Sequence, residues 1–245
     1  MLDSSYSTVV NALMDAYRQH GNSGGAIVAM TLLLTFVLEL WSLPTVRAMR
    51  IKQAALYKQG WKMNFVNHLG LGLPLYLIAA MCTNQRNDTE LLDDVVSFLV
   101  VTLVHSLLYY WLHKSFHEYP ILYQRVHKFH HLYNTHVPPS SANAVTNFEY
   151  VLAYLFPFLV GVLMWPRTTP RALNWSVSLI SGLNLVVHTP KLEAWSETYL
   201  PKWWVSTHDH QTHHRKVSVH YASPTLNWDY LLAGQSSSSK VKSKN

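Results

Sequence analysis

The chemistry of this chain lies in its histidines. There are 15 in 245 residues, and several fall into groups with the spacing of ligands. His113 and His117 form an H-x-x-x-H pair. His127, His130 and His131 form an H-x-x-H-H triplet, and His210, His213 and His214 repeat that triplet near the other end. On a helix, residues three and four apart share a face, so each group turns several imidazoles the same way. Imidazole nitrogen suits iron, zinc, copper and nickel, and no single ion uses this many, so two ions account for the set better than one. A lone histidine on an apolar face is ordinarily a hydrogen-bonded core residue. Three spaced groups together point to metal coordination, which also gives polar rings beside hydrocarbon the partners they need.

The elements that hold these groups are apolar. The chain is 49% hydrophobic and only 13% charged, against roughly 25% charged in soluble proteins, and its length suits one domain. Apolar runs at residues 26–43, 64–82, 95–112, 148–165 and 172–188 approach the roughly 20 residues that cross a bilayer. The last two, separated by Pro166 and Pro170, read as a spanning hairpin or one that dips and returns. The fold expected is an all-α integral-membrane bundle with four or five spans and a histidine-rich helical cap. Residues 44–62 carry Arg47, Arg50, Lys52, Lys58 and Lys62 without an acid, whereas residues 83–94 set Arg86 against Asp88, Glu90, Asp93 and Asp94. The positive-inside rule then puts the first segment, and with it all three histidine groups and His188, on the cytoplasmic side.

Around this membrane domain, residues 26–234, the sequence suggests a loosely ordered arm at 1–25 and a disordered basic tail at 235–245. His20 reads as exposed, His68 as a hydrogen-bonded packing residue, and Cys82 as a small buried side chain. Glu39 is expected to reach the interface or a basic neighbour. The net charge of +6 and pI near 9.3 come from scattered cations, so nucleic acid is not an expected partner.

Zinc hydrolases often carry a helical H-E-x-x-H, and His117-Glu118 lacks the second histidine three residues on. A site embedded in membrane meets hydrocarbon C–H bonds that acids and bases cannot usefully attack, whereas iron with dioxygen can. A zinc-dependent membrane hydrolase and a metal-bound membrane protein without turnover are the competing readings.

Trp-Leu-His-Lys-x-x-His at Trp111–His117, His-Lys-x-His-His at His127–His131, His-Gln-Thr-His-His at His210–His214 and the closing Asn227-Trp228-Asp229 together resemble the fatty acid hydroxylase/sterol desaturase superfamily. The likeness covers roughly residues 30–234. It implies a histidine-box oxygenase of the endoplasmic reticulum. Such an enzyme uses two non-haem irons and O2 to hydroxylate or desaturate a sterol, sphingoid base, acyl chain or other apolar metabolite. Zinc would be an acceptable substitute in a purified sample.

By the same resemblance the ligands are His113, His117, His127, His130, His131, His210, His213 and His214, with His188 as a ninth. Asn184 stands where some relatives carry a further histidine, to bind metal weakly or to pack. His105 replaces an acid, as an outer partner or added ligand. Glu149 keeps only the acid of a frequent H-P-x-E, here Thr146 to Glu149, and would orient a ligand histidine. A frequent Asn-Tyr-Gly is here His220-Tyr221-Ala222. With no dinucleotide-binding glycine pattern, electrons are expected from cytochrome b5 or a similar carrier docking on the basic face. The apolar substrate is expected to enter from the bilayer along Tyr109, Tyr110, Phe156 and Phe158.

Overall fold

Apolar runs of this length have no water to satisfy their amides in a bilayer, so they close their hydrogen bonds internally as helix. A computed structural model describes residues 2–85 and 90–233. Among them, four rods are long and apolar enough to cross a membrane: Val10–Trp41, Ala54–Met81, Leu91–Glu118 and Asn147–Met164. Helix α1 (Leu2–Trp41) contains the first rod and leads into α2 (Leu43–Lys52). The second rod joins α3 (Ala54–Phe65), a π-helical stretch at Val66–Gly72, and α4 (Leu73–Met81). The third is α5 (Leu91–Glu118), after which α6 (Pro120–Leu122) runs into a π-helical turn at Tyr123–His127. The fourth joins α7 (Asn147–Glu149), a π-helical stretch at Tyr150–Leu155, and α8 (Phe156–Met164).

The fifth apolar run becomes α9 (Pro170–Val187), which falls outside the four span-grade rods and packs against α1, α5 and α8. Asn174, Ser176, Ser181 and Asn184 dilute its apolar character. Helices α10 (Glu193–Tyr199), α11 (Thr207–Lys216) and α12 (Trp228–Ala233) form the cap, where a single antiparallel bridge pairs Trp204 with Leu226.

Contacts at the two ends fix how the rods run. At one end Asn84 N donates to Thr168 O at 2.7 Å, and Gln19 donates to Gln85 at 3.2 Å. At the other, Leu38 of α1 packs with Ala142 and Leu185, and Tyr110 of α5 packs with Val187 and Val205. The C-terminal ends of α1, α5 and α9 therefore gather where α3 and α7 begin, and the histidine groups lie at this end. The basic residues of α2 and α3 share it, while Asp94 sits at the opposite end, held by Thr169 and by Arg171 at 2.9 Å.

Several local expectations are corrected. Residues 2–25, expected as an arm, continue α1. No proline precedes Pro44, and Ala16 and His20 find buried positions, so His20 is not exposed. Gly24 lies so close to α4 that an added Cβ would stand 2.7 Å from the Tyr76 ring. Among the described residues Glu39 pairs with no cation. It is buried, accepting from the Tyr57 hydroxyl and from Trp61 Nε1. Cys82, at the end of α4, is exposed rather than buried. The basic tail at 235–245 lies outside the described residues.

Helices in lipid associate through close packing, which small residues permit. Gly161 of α8 abuts the Val101 backbone of α5, with an added Cβ 3.2 Å from Val101 Cα, whereas Gly182 of α9 has open space around it. Gly161→Leu is expected to destabilise the bundle by about 1–3 kcal/mol through overpacking and lower its melting temperature in detergent. Gly182→Leu should leave the transition in place, and equal effects from the two would refute this packing.

Candidate metal centre

Four segments deliver the histidines. The last two turns of α5 carry His113 and His117. The π-helical turn ending at His127 and a 3-10 turn at His130–Leu132 carry the first triplet. His188 caps the C-terminus of α9, and α11 carries the second triplet. Helix α11 is too polar to be held by burial of apolar side chains alone. A capping box fixes its start: Asp209 N donates to Ser206 Oγ at 3.0 Å, and Ser206 N donates to the Asp209 carboxylate at 3.3 Å. The loop after the first triplet is held against the second rod. Asn64 Nδ2 donates to Ser140 O at 2.7 Å, and Asn67 Nδ2 donates to Asn143 O and Val145 O, both at 3.1 Å.

The nine predicted histidines converge into two groups. His113, His117, His127, His131 and His213 form one, and His130, His188, His210 and His214 form the other. Within each group the potential ligand nitrogens lie within 4.8 Å of one another. Adjacent histidines part company: His130 and His131 go to different groups, as do His213 and His214. In α11 successive residues point about 100° apart while His210 and His214 share a face, so one short helix serves both groups.

Hydrogen bonding fixes which nitrogen faces inward. His113 Nδ1 donates to Tyr221 O, His213 Nδ1 to Val219 O and His188 Nδ1 to Asn184 O, each at 2.7 Å. Carbonyl oxygens only accept, so these rings carry their proton on Nδ1 and present a bare Nε2. His127 Nδ1 lies 2.7 Å from a buried oxygen of Glu149; when Glu149 is ionised it accepts there, and His127 takes the same tautomer. Yet His113 Nε2 lies 3.0 Å from His127 Nε2, and His188 Nε2 lies 2.9 Å from His210 Nε2. With Glu149 ionised, the first of these is a meeting of two lone pairs with no proton between them, which is repulsive unless a cation is shared. Nitrogens bound about 2.0–2.1 Å from one ion stand about 2.8–3.4 Å apart at right-angled to tetrahedral geometry. The 3.0 Å from His131 to His127, and the 3.3 Å from His117 to His113 and from His214 to His188, match that range. The donor set therefore fits two metal ions.

Burial reinforces this state. It pushes the His188 imidazole down to about 4. Burial first, then neighbouring imidazoles, hold His127, His130, His210, His213 and His214 well below the ordinary value. Neutral rings are the form that binds metal.

The other predicted residues separate by contact. Glu149 adjoins a ligand ring, as described, and Thr146 supports it: its hydroxyl accepts from Glu149 N at 3.2 Å and donates to Val126 O at 2.9 Å. Asn184 packs through its side chain, donating to Ala142 O at 3.2 Å, while its backbone holds His188. His105 joins neither histidine group, which corrects its reading as an added ligand. Two turns before His113 on α5, it stays in the apolar interior, with its ring centroid 4.2 Å from that of Phe158. Of the remaining histidines, His208 lies 3.4 Å from Glu193 on the cap.

Sequence reading missed the carbonyls of Val219 and Tyr221, because a backbone acceptor has no residue signature. Their loop turns at Val217 (φ 63) and His220 (φ 57), both left-handed. Histidine enters this region more readily than most residues, which suits His220 to the turn. Asp229 braces the loop by accepting from Ala222 N at 2.7 Å, which gives the closing Asn-Trp-Asp motif a structural task.

A sequence model described as fatty acid hydroxylase matches residues 98–233, a stretch that includes every histidine of both groups. Comparison with curated proteins gives no match, and comparison with solved structures gives none either.

Two outcomes follow from this geometry. Glu149→Gln weakens the hold on the His127 ring and is expected to reduce metal affinity about 10–100-fold, measured by competition with a chelator. For acid sensitivity, the folded imidazoles sit below an unfolded value near 6.5, so the unfolded chain takes up more protons as pH falls. For His188 the stabilising difference is complete above pH 6.5 and is lost between 6.5 and about 4. The melting temperature of metal-stripped protein should therefore drop across that interval, and a flat profile would contradict the neutral assignment.

Proposed function

Because the chain belongs to the fatty acid hydroxylase family, within the sterol desaturase/fatty acid hydroxylase superfamily, we propose that it is an integral-membrane di-iron oxygenase. It hydroxylates or desaturates an unactivated C–H bond of a lipid-like substrate, using O2 and two electrons. The observation that carries this reading is the pair of imidazole groups whose bare nitrogens face one another. Iron bound there would supply one-electron chemistry with dioxygen strong enough to break such a bond.

The residues of this chain supply the surroundings. His113, His117, His127, His131 and His213 would hold one ion, and His130, His188, His210 and His214 the other. Glu149 and the carbonyls of Tyr221, Val219 and Asn184 keep protons on the outer ring nitrogens and the inner ones free. Eight of the nine rings are buried, which excludes bulk water from the ligand layer.

Below this layer, a cavity of about 60 Å³ lies among α1, α4, α5, α8 and α9. Tyr109 and Phe158 line it as expected, and the Tyr109 ring centroid lies 5.2 Å from that of His113. The other two expected wall residues do not. Tyr110 packs in the cluster of Val187, Val205 and Ala222, and Phe156 is 44% exposed on the outside of α8. Large rings divide in this way because only one face of each helix meets the cavity.

In this reading the histidine end faces the cytoplasm of the endoplasmic reticulum. It is supported by Arg47, Arg50, Lys52 and Lys58 at that end, whose charge suits an acidic carrier of the cytochrome b5 type.

Protein purified under iron-replete conditions is expected to hold two irons per chain and to convert lipid only with O2 and a reductant. His130→Ala and His213→Ala each remove a ligand from a different group and should lower turnover roughly 100-fold or more. Zinc-supported turnover without oxygen would instead indicate a hydrolase. A biological effect untouched by both substitutions would indicate a protein without turnover.

A further inference from the structure

The cavity below the metal centre is walled largely by apolar side chains such as Ile27, Leu75, Phe158, Leu173 and Ile180, yet buried polar groups interrupt it, among them Asn143, whose Nδ2 has no partner among the described residues, and two imidazoles. His68 comes from the second rod and His105 from α5. Each uses one ring nitrogen within the protein and has another, buried, with no partner among the described residues. His105 Nε2 lies 3.1 Å from the Tyr154 carbonyl oxygen. A carbonyl cannot donate, so the proton sits on Nε2 and leaves His105 Nδ1 as an unmet acceptor. His68 Nδ1 lies 2.9 Å from the Tyr150 hydroxyl. With the phenol donating to Nδ1, the ring proton lies on Nε2, an unmet donor.

A buried donor and a buried acceptor left unmade in an apolar cavity each cost free energy. The cavity therefore favours an occupant that can both give and take a hydrogen bond while remaining apolar elsewhere. An alcohol does both. An ether or ketone only accepts, and a carboxylate would bring an uncompensated charge into hydrocarbon.

We propose that His105 and His68 form a hydroxyl-binding subsite, and that the lipid substrate is an alcohol: its O–H donates to His105 Nδ1 and its oxygen accepts from His68 Nε2. This rests on the oxygenase reading only for what the cavity is used for. His105 precedes His113 by two turns, roughly 12 Å along the axis, so the hydroxyl anchors the substrate away from the carbon presented to the metal centre. These two histidines are specificity residues, distinct from the ligands.

The test uses the full-length, metal-loaded protein in lipid nanodiscs. Equilibrium binding of radiolabelled 1-octadecanol and of a 3β-hydroxysterol is compared with that of their methyl ethers, which accept but cannot donate. At least one alcohol is expected to bind about tenfold more tightly than its ether, the scale of one buried hydrogen bond. His105→Phe should bring that alcohol down to its ether, and His105→Gln, which keeps an acceptor oxygen, should restore part of the preference. His68→Phe should weaken alcohol and ether together.

Metal content is read on the same samples and should match wild type, since neither histidine touches a ligand group. If His105→Phe does not fold, the Gln variant and His68→Phe carry the comparison. Equal binding of alcohol and ether in both series, as a site holding only water would give, overturns the proposal. So does a preference unchanged by either substitution, or failure of all four probes to bind. Loss of iron binding or of O2-dependent turnover with the alcohol preference intact would sink the oxygenase reading and leave the subsite standing.

Discussion

Imidazole lone pairs that face one another across about 3 Å in a dry interior are the constraint on which the rest of this structure depends. In water such rings would turn away or share a proton. Here the outer nitrogen of His113, His127, His188 and His213 is already committed to a carbonyl or carboxylate, so rotation would break a buried hydrogen bond. The arrangement is pre-organised for cations and unfavourable without them. Metal binding and folding at this end of the bundle are therefore expected to be coupled.

That pre-organisation comes from several separate devices in the fold. A capping box starts α11, Asn64 and Asn67 hold the loop after the first triplet, and Asp229 braces the loop whose carbonyls hold His113 and His213. The three π-helical stretches, at Val66–Gly72, Tyr123–His127 and Tyr150–Leu155, all lie beside the centre or the cavity. Each inserts an extra residue into a turn, a feature frequent at functional sites because it re-aims side chains without ending the helix. His127 ends one such stretch. His68 and Tyr150, which bond each other at the cavity, belong to the other two.

The membrane setting sharpens these effects. Four apolar rods provide length, but the lipid gives helices little reason to associate beyond shape and polar contacts. The close approach of Gly161 to Val101 is such a contact, and so is the hydrogen bond of Tyr76 to Asn174. The cavity is what this packing leaves open, and the imidazoles of His68 and His105 and the amide of Asn143 are polar groups there that each keep a buried nitrogen without a partner among the described residues.

The histidine spacing and the length of the apolar runs were enough to indicate an all-helical membrane protein with histidine groups able to bind metal, since both features depend on local periodicity. The nine candidate ligands were legible for the same reason, with the family likeness supplying His188. How they divide was not. Spacing says that His130 and His131 are near a site, but the packing of α11 against the first triplet decides that neighbours fall into different groups. The helical state of residues 2–25 and the burial of Glu39 and His20 were hidden because each depends on partners far along the chain. The carbonyls of Val219 and Tyr221 were hidden because every residue has one. His105 shows the boundary most clearly: its identity suggested an outer partner or an added ligand, and two turns of helix put it beside a largely apolar cavity instead, because position along a rod is a tertiary fact that residue type cannot carry.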